Sequence, residues 1–554
     1  MKLLLINPFL INSQGFNLEV TKRGGQYAEP PIGLGYLSSY CKHYNNIDVK
    51  ILDANIYAIE KITIGNVTDI DSIENGIVDE IKKYGPDVVG ISCLFHSTSR
   101  SAHRMALLVK DLDKDITVIM GGSYPTASSE LVLKDPNVDF IVKGEGEKTL
   151  SDIINYLNKN GSLDNISGIG YKDNNKIIIK ESDRYINDIE QLMMPDREDL
   201  PIESYSKYAR HALKKFIYSD TGSYLITSIT ASRGCPHQCD FCISKIFWNR
   251  QYRHRSADSI LDEIEYLVKR YNVTHLAFND DNLTINLRFT KELFSGMIKR
   301  GIKVKWMSAG GLQLNTIDTD LTEIMLESGC TLFNLAIESG SKKTLKKIRK
   351  PLQLDSVEEK IDIIRRFENC YPVYIEGYFL FGFPDETEED FRETISFARR
   401  LDLDWRMLSC VQPFPGTELY NDALEKGLIP ADLEENFGNF SYQKLYLKTN
   451  YLNEELIEKE VYLLNIESNF LNNRNLQMGN YKQAIRDFEW VLELVPDHAI
   501  ARYCLYVAHK KNRDLEKANT ELINIEKYLT PVNKSYFDHF NIDIESFLLN
   551  LPSL

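Results

Sequence analysis

The 554-residue chain reads as an α/β protein in three parts. A doubly wound, flavodoxin-like sheet comes first, then a partial (β/α)6 barrel, then an α-helical tail. Three observations predict this. Runs such as VVGIS (88–92) and VIMGG (118–122) are apolar throughout, as parallel strands buried on both faces must be. Strand and helix patterns alternate twice, across residues 1–160 and again from Tyr224. After Gly416 the strand signal stops and the sequence turns helical and charged.

In the first part (1–160), strands are expected at Lys2–Asn7, Asp48–Asp53, Asp87–Ser92, Thr117–Met120 and Phe140–Val142. Helices are expected at Gly33–Tyr44, Ser72–Lys83, Ala102–Leu112, Ser129–Lys134 and Thr149–Asn158. Ligands of such sheets sit beyond the carboxyl ends of the strands. The loops there are Asn7-Pro8, Ser92 onward, Gly121-Gly122-Ser123 and Gly144-Glu145-Gly146-Glu147. Glycines let the backbone approach a ligand, or simply make a tight turn. Residues 161–215 read as a hairpin turning at Asn174-Asn175, followed by a linker punctuated by Pro195 and Pro201.

The second part (216–425) repeats the rhythm. Strands are expected at Tyr224–Thr230, His275–Phe278, Lys303–Ser308, Thr331–Ile337, Val373–Phe381 and Asp404–Gln412. Helices fit Ile260–Tyr271, Phe289–Arg300, Asp320–Ser328, Ser356–Phe367 and Glu388–Leu401. Chemistry in β/α barrels sits at the carboxyl ends of the strands. There the sequence places Asn279-Asp280-Asp281-Asn282, Glu338-Ser339-Gly340 and Gly382-Phe383-Pro384. In the tail (426–554), Tyr481, Ala484, Phe488 and Val491 recur 34 residues later as Leu515, Ala518, Leu522 and Ile525. That is the period of a tetratricopeptide-like helix pair; two ordinary amphipathic helices are the alternative. Such a tail is a packing module or a surface for a protein partner.

The densest chemical signal is GCPHQCDFC. Cys235, Cys239 and Cys242 are spaced C-x3-C-x2-C just after the first barrel strand. Three thiolates at this spacing suit three irons of a [4Fe–4S] cube and leave the fourth iron open. Zinc is the alternative, with His237 inside the loop, but no second C-x2-C or H-x3-H element follows. The net charge of −15 argues against a nucleic-acid partner. No run of about 18 apolar residues is present, so no transmembrane segment is expected. MKLLLINPF is too short for a signal peptide's apolar core and reads as a first strand. Nine cysteines without a disulfide framework point to a reducing cytoplasm.

The cysteine spacing, with Phe241 before the last cysteine, resembles the radical S-adenosylmethionine (radical SAM) superfamily. The resemblance implies that SAM chelates the open iron, and that one electron cleaves it to a 5′-deoxyadenosyl radical. It also implies SAM contacts. Asp280 and Asp281 stand where other members carry Gly-Gly-Glu beside the methionyl amine. Glu338 and Ser339 match the I-E-S-G-S segment near the ribose, and Lys350 stands where a basic residue pairs with the carboxylate. Asp281 and Ser339 also suit helix caps.

The stretches PPIGLGYLSSY (30–40), GGSYPT (121–126) and VKGEGEKTL (142–150) are similar to the cobalamin-binding domain that precedes many radical SAM barrels. The similarity implies cobalamin contacts at Ser92, Gly121, Gly122, Ser123, Gly144 and Gly146. The D-x-H-x-x-G motif, whose His ligates cobalt from below, is absent, so no histidine lower ligand is expected. His96 is the one substitute, and a surface or second-layer position is the reading preferred for it.

The implied function is cobalamin-dependent methyl transfer to an unactivated carbon or phosphinate of a small molecule, lipid or natural-product intermediate. The chemistry is anaerobic and draws electrons from a reductant such as flavodoxin or ferredoxin. A radical cyclisation or rearrangement without methyl transfer is the runner-up. A methylthiotransferase needs three more cysteines upstream, and only Cys41 and Cys93 precede Cys235. A non-catalytic scaffold built on the tail would have no use for the cysteine loop.

Overall fold

The computed structural model describes residues 1–9, 21, 28–65, 67, 69–174, 176–183, 185–209, 224–430, 432–434 and 441–549. Asn175 of the expected hairpin turn lies outside them, as do residues 210–223, the end of the expected linker and the start of the expected barrel part.

The N-terminal sheet has seven strands: β1 Lys2–Asn7, β2 Asp48–Asp53, β3 Val88–Ser92, β4 Thr117–Gly121, β5 Phe140–Val142, β6 Ile169–Asp173 and β7 Lys176–Ile179. Their order is 2-1-3-4-5-6-7. The first five run parallel, the flavodoxin-like order; β6 and β7 add on antiparallel. The hairpin expected in the linker region therefore extends this sheet. Alternation along β1 shows why helices cover both faces. Leu4 and Ile6 join Ile73, Ile77 and Met105 from helices Ile70–Tyr84 and Ser99–Leu112. Leu3 and Leu5 join Leu34 and Ile154 from helices Ile32–Asn45 and Gly146–Leu157 on the other side. A helix at Ala54–Thr63, not expected from the sequence, follows β2, with Asp53 capping it through the backbone N–H of Asn55.

The second sheet is β8 Ile226–Ile229, β9 His275–Phe278, β10 Lys305–Ser308, β11 Cys330–Glu338, β12 Tyr374–Phe381 and β13 Trp405–Cys410. All six are parallel and lie in chain order, with β8 and β13 at the two edges. This is the partial barrel. Phe278, Trp306 and Phe333 point outward into one core with the surrounding helices, where Trp306 stacks on Phe294 at 4.0 Å.

The tail packs on the barrel. Ala277, Met307, Leu332, Tyr374 and Trp405, from the five strands β9 to β13, share a core with Ile466, Phe470 and Phe488 of the tail. Polar contacts fix the register: the Tyr374 hydroxyl donates to Asp487 at 3.1 Å, and Asn469 makes two 2.8 Å bonds with the backbone of Arg406. Helices Tyr481–Leu494 and Leu515–Tyr528 carry the 34-residue recurrence, with Ala484, Phe488, Ala518 and Leu522 all buried. Among the described residues no helix is long and apolar enough to cross a membrane.

Candidate active site

The cysteine loop leaves the carboxyl end of β8. Ser232–Arg233 first pairs antiparallel with Arg253–His254. Gly234 then turns at φ +83°, where a Cβ would lie 2.0 Å from the Gln251 carbonyl oxygen. Only glycine fits directly before Cys235. The three cysteines follow, each half-buried. Asn282, after β9, points its amide at Cys235 Sγ (3.7 Å), and Cys239 Sγ lies 3.9 Å from the Arg349 carbonyl oxygen. Burial pushes all three thiols up, Cys239 to about 11 and Cys242 to about 12. They are neutral until positive charge arrives, and a bound metal supplies it.

Among the described residues no three His, Cys, Asp or Glu side chains converge on one point that would hold a single ion. His237 instead meets the Gln313 side chain at 2.9 Å. A cube binds its three thiolates at separate corners, so the loop's chemistry fits a cluster better than the zinc alternative.

The two aspartates after β9 divide. Asp280 is buried and accepts bonds from the backbone N–H groups of Ala231 and Ser232 and from the Ser232 hydroxyl. Burial pushes its carboxyl to about 7 against those bonds. Both its oxygens hold the β8 turn. Asp281 is half-buried and accepts from Gly234 N–H at 3.1 Å. The helix that follows is capped by Asn286, not by Asp281.

At the end of β11, Glu338 sits at φ +69° beside a register shift in the pairing with β12. That conformation costs a non-glycine residue energy, and such strain gathers at functional sites. Glu338 accepts from Lys350 Nζ at 2.9 Å, so the two are each other's counter-ion. Burial works against the Lys350 charge, and Glu338 together with the Cys239 and Cys242 sulfurs outweighs it, holding the ammonium above its usual range. Ser339 is fully buried, bonded to the Thr394 hydroxyl at 2.9 Å and accepting from Ser341 N–H. Its hydroxyl faces the helix behind the strand, and Ser341 rather than Ser339 caps the next helix. Phe241 packs on Phe383 at 5.9 Å.

Across from this loop lies the carboxyl edge of the N-terminal sheet. Ser92 and Gly121 end β3 and β4 side by side, both half-buried. Gly122, at φ +117°, would drive a Cβ to 2.3 Å from the Cys93 carbonyl oxygen, so close packing of two loops requires it. The Ser123 hydroxyl donates to the Leu94 carbonyl. Gly146 opens its helix against Leu37, where a Cβ would lie at 3.1 Å. For these three the structure gives packing reasons; a Cβ at Gly121 would meet only Val142, at ordinary contact distance, while Gly144 is buried at φ +70° with its N–H donated to the Thr126 hydroxyl. Leu94 and Phe95, half exposed, project where β3 ends. His96 is not at the surface. It is buried between Tyr124 (5.5 Å) and Phe414 of the barrel (5.6 Å), and burial lowers its pKa to about 4.

One feature escaped the sequence reading. Arg233, two residues before Cys235, donates to Glu145 at 2.9 Å and to Glu147 at 2.5 Å. Arg253 donates to Glu145 at 2.8 Å. All four are buried or nearly so, and they join the cysteine loop to the VKGEGEKTL loop. The signal was present as two acidic residues between glycines and an arginine before the cysteines, but their pairing is tertiary.

Residues 23–154 match the B12 binding domain family, and residues 229–398 match the Radical SAM superfamily. The chain carries a B12 binding domain followed by a radical SAM domain. It is 28% identical over 431 residues to an uncharacterized methyltransferase of Pyrococcus horikoshii, covering 78% of this chain and 85% of the relative. It is 27% identical over 443 residues to a cytidylyl-2-hydroxyethylphosphonate methyltransferase of Streptomyces wedmorensis, covering 75% and 81%. In fold this radical SAM enzyme resembles the cobalamin-dependent S-adenosylmethionine radical enzyme OxsB, with TM-score 0.64 at 15% identity over 100% of this chain and 82% of that one. Of the solved structures similar in fold, TsrM of Kitasatospora setae (TM-score 0.60, 16% identity over 78% of this chain and 79% of that one) holds cobalamin and a [4Fe–4S] cluster, and OxsB holds aqua-cobalamin and SAM.

Proposed function

We propose that this protein transfers a methyl group from SAM to an unactivated carbon of a small molecule, by radical chemistry that uses cobalamin. The observation that carries the reading is the face-to-face arrangement of two carboxyl edges. The buried Arg233–Glu145–Glu147 cluster and the His96–Phe414 contact hold the B12 domain's strand ends against the cysteine loop and barrel mouth. When bound, the cluster supplies the electron that cleaves SAM, and cobalamin carries the methyl group.

The chain's own residues have four tasks. Cys235, Cys239 and Cys242 hold the cluster. Asp281, half-buried beside them, accepts the SAM amine. The Glu338–Lys350 pair offers a cation to the SAM carboxylate and an anion to its hydroxyls at one short reach. Leu94 and Phe95 offer corrin an apolar seat without a ligand for cobalt. Enclosure matters because a primary carbon radical meeting solvent or protein is quenched.

Methyl transfer of this kind consumes two SAM molecules per turnover. One ends as 5′-deoxyadenosine after hydrogen abstraction, and the other ends as S-adenosylhomocysteine after giving its methyl group. The test is anaerobic protein reconstituted with iron, sulfide and hydroxocobalamin, given SAM and a chemical reductant with phosphonate, tetrapyrrole and lipid candidates. Equal amounts of the two products and a substrate mass gain of one methylene are expected. 5′-Deoxyadenosine without S-adenosylhomocysteine would overturn methyl transfer in favour of cyclisation or rearrangement.

A further inference from the structure

The cysteine loop is joined to the most cationic stretch of an acidic protein. Lys342, Lys343, Lys346, Lys347, Arg349 and Lys350 crowd into residues 342–350 of a chain whose net charge is −15. Helix Lys342–Lys347 carries the first four, all exposed. The turn after it touches the loop directly. Asp240 N–H donates to the Ile348 carbonyl at 3.2 Å, and Cys239 Sγ reaches the Arg349 carbonyl at 3.9 Å. Alongside runs a groove of about 620 Å³ lined by Lys342, Lys346 and Lys350 with Leu345 and Leu352; Asp355 and Glu359 also line it.

Acidic neighbours are present. Arg349 pairs with Glu418 and Lys350 with Glu338, so the free surface is the helix: there Lys342 pairs with Asp355 (2.6 Å), Lys343 with Asp390 (3.3 Å) and Lys347 with Asp385 (3.8 Å). The helix lysines of these pairs are about half exposed or more, and such surface pairs are worth roughly 0–1 kcal/mol. An incoming carboxylate therefore exchanges with them at little cost. Lys346 forms no ion pair among the described residues, and it lines the groove.

Each SAM cleavage needs one electron from outside. The other six cysteines, Cys41, Cys93, Cys330, Cys370, Cys410 and Cys504, are scattered in sequence and make no second cluster motif. The carrier must approach on a side where the cysteine loop meets solvent. We propose that the exposed Lys342–Lys347 surface is the docking site of an acidic one-electron carrier protein of the flavodoxin type. Cationic patches steer carboxylate-rich partners and speed encounter, and redox encounters use small, transient interfaces. The carrier loses one electron and the cluster gains it; no bond is made and no atom moves. The proposal rests on the cluster reading above.

The test uses the full-length reconstituted enzyme and its K342E/K346E/K347E variant, none of whose changes touches the cofactor-holding residues. 5′-Deoxyadenosine formation is measured with dithionite and, separately, with a flavodoxin reduced by its reductase. Dithionite-driven cleavage should stay within about twofold, while flavodoxin-driven cleavage falls roughly tenfold or more. The wild-type flavodoxin-driven rate should also fall steeply between about 0.05 and 0.5 M salt, and the variant's rate should not. Equal flavodoxin-driven rates in the two proteins would overturn the docking site while leaving the cluster reading intact. A wild type without iron, inert to dithionite, would overturn both. If the variant loses dithionite-driven cleavage, and so its fold, K342Q/K346Q/K347Q carries the test, with a drop of about threefold expected and none overturning the proposal.

Discussion

Arg233 and Glu147 form a buried ion pair, 2.5 Å long, that crosses from the cysteine loop to the first turn of a helix in the B12 domain. Burial alone would raise the Glu147 carboxyl, yet Arg233 holds it below the usual carboxylate range. Glu147→Gln leaves the guanidinium with one carboxylate fewer in a site that excludes water. Breaking a buried pair from one side costs about 3–5 kcal/mol. Urea unfolding of the full chain should register a loss of that size. Because Arg233 lies two residues from Cys235, the variant should also reconstitute with less iron. An unchanged unfolding midpoint would mean that Glu145 alone satisfies Arg233.

Any single substitution of Cys235, Cys239 or Cys242 by Ala should remove most of the reconstituted iron and all SAM cleavage, since a cube with two protein thiolates is labile. Cys330→Ala and Cys504→Ala should keep both. Those cysteines are buried in the barrel core and the tail core, and their cost is packing alone. Full activity in Cys239→Ala would sink the cluster assignment.

The paired aspartates after β9 should separate on mutation. Asp280→Asn puts an amide donor among the three donors that Asp280 now accepts. An unsatisfied buried donor costs about 1–3 kcal/mol, so this variant should lose stability. Asp281→Asn should instead weaken SAM binding roughly 10- to 150-fold at unchanged iron content, the loss of about 1.5–3 kcal/mol from a charge-assisted bond. Isothermal titration with SAM distinguishes the two. Unaltered affinity in Asp281→Asn would move the amine site to Glu338.

These last two cases mark what the sequence could express. Period and polarity located the strands closely: β1, β2, β5 and β9 run over the expected residues, because β1, β5 and β9 are mainly apolar and β2 buries alternate residues. The same reading put Asp280 and Ser339 at strand ends, but it could not express which way their side chains turn. Whether a strand-end side chain faces the cavity or the wall behind it depends on bulges and on partners far along the chain. Thr394 for Ser339 and Ala231 with Ser232 for Asp280 are such partners. Gly122 carries a similar ambiguity. A glycine forced by the Cys93 carbonyl looks, in sequence, the same as one opened to a ligand.

His96 makes stability depend on pH. Its folded pKa is about 4, below the ordinary 6.5, because burial opposes the imidazolium. The unfolded chain therefore binds the extra proton first. The contribution is fully present above about pH 6.5, declines as pH falls, and is lost by about pH 4. Between pH 6.5 and 5 one such group costs about 2 kcal/mol. In His96→Phe, which keeps an aromatic ring between Tyr124 and Phe414, the decline should be smaller by that amount. Thermal unfolding of both proteins from pH 7 to 5 checks it, and parallel curves would mean that His96 is protonated or solvated in the folded state.

The same histidine decides how cobalamin should sit. A lower ligand to cobalt needs an accessible imidazole nitrogen at the carboxyl edge of the sheet. The His96 ring is instead enclosed by Tyr124 on one side and Phe414 of the barrel on another. The side chains that do project beside it are Leu94 and Phe95, which have no lone pair to offer. Cobalt should therefore receive no nitrogen donor from the loop after β3, and cob(II)alamin bound to the protein should give an electron paramagnetic resonance spectrum without nitrogen superhyperfine splitting. His96→Phe should leave that spectrum unchanged. Leu94→His puts an imidazole at the exposed position and should introduce the three-line nitrogen pattern, which tests the seat directly. Splitting in the wild type that vanishes in His96→Phe would show that the loop after β3 rearranges to bring His96 out to the metal.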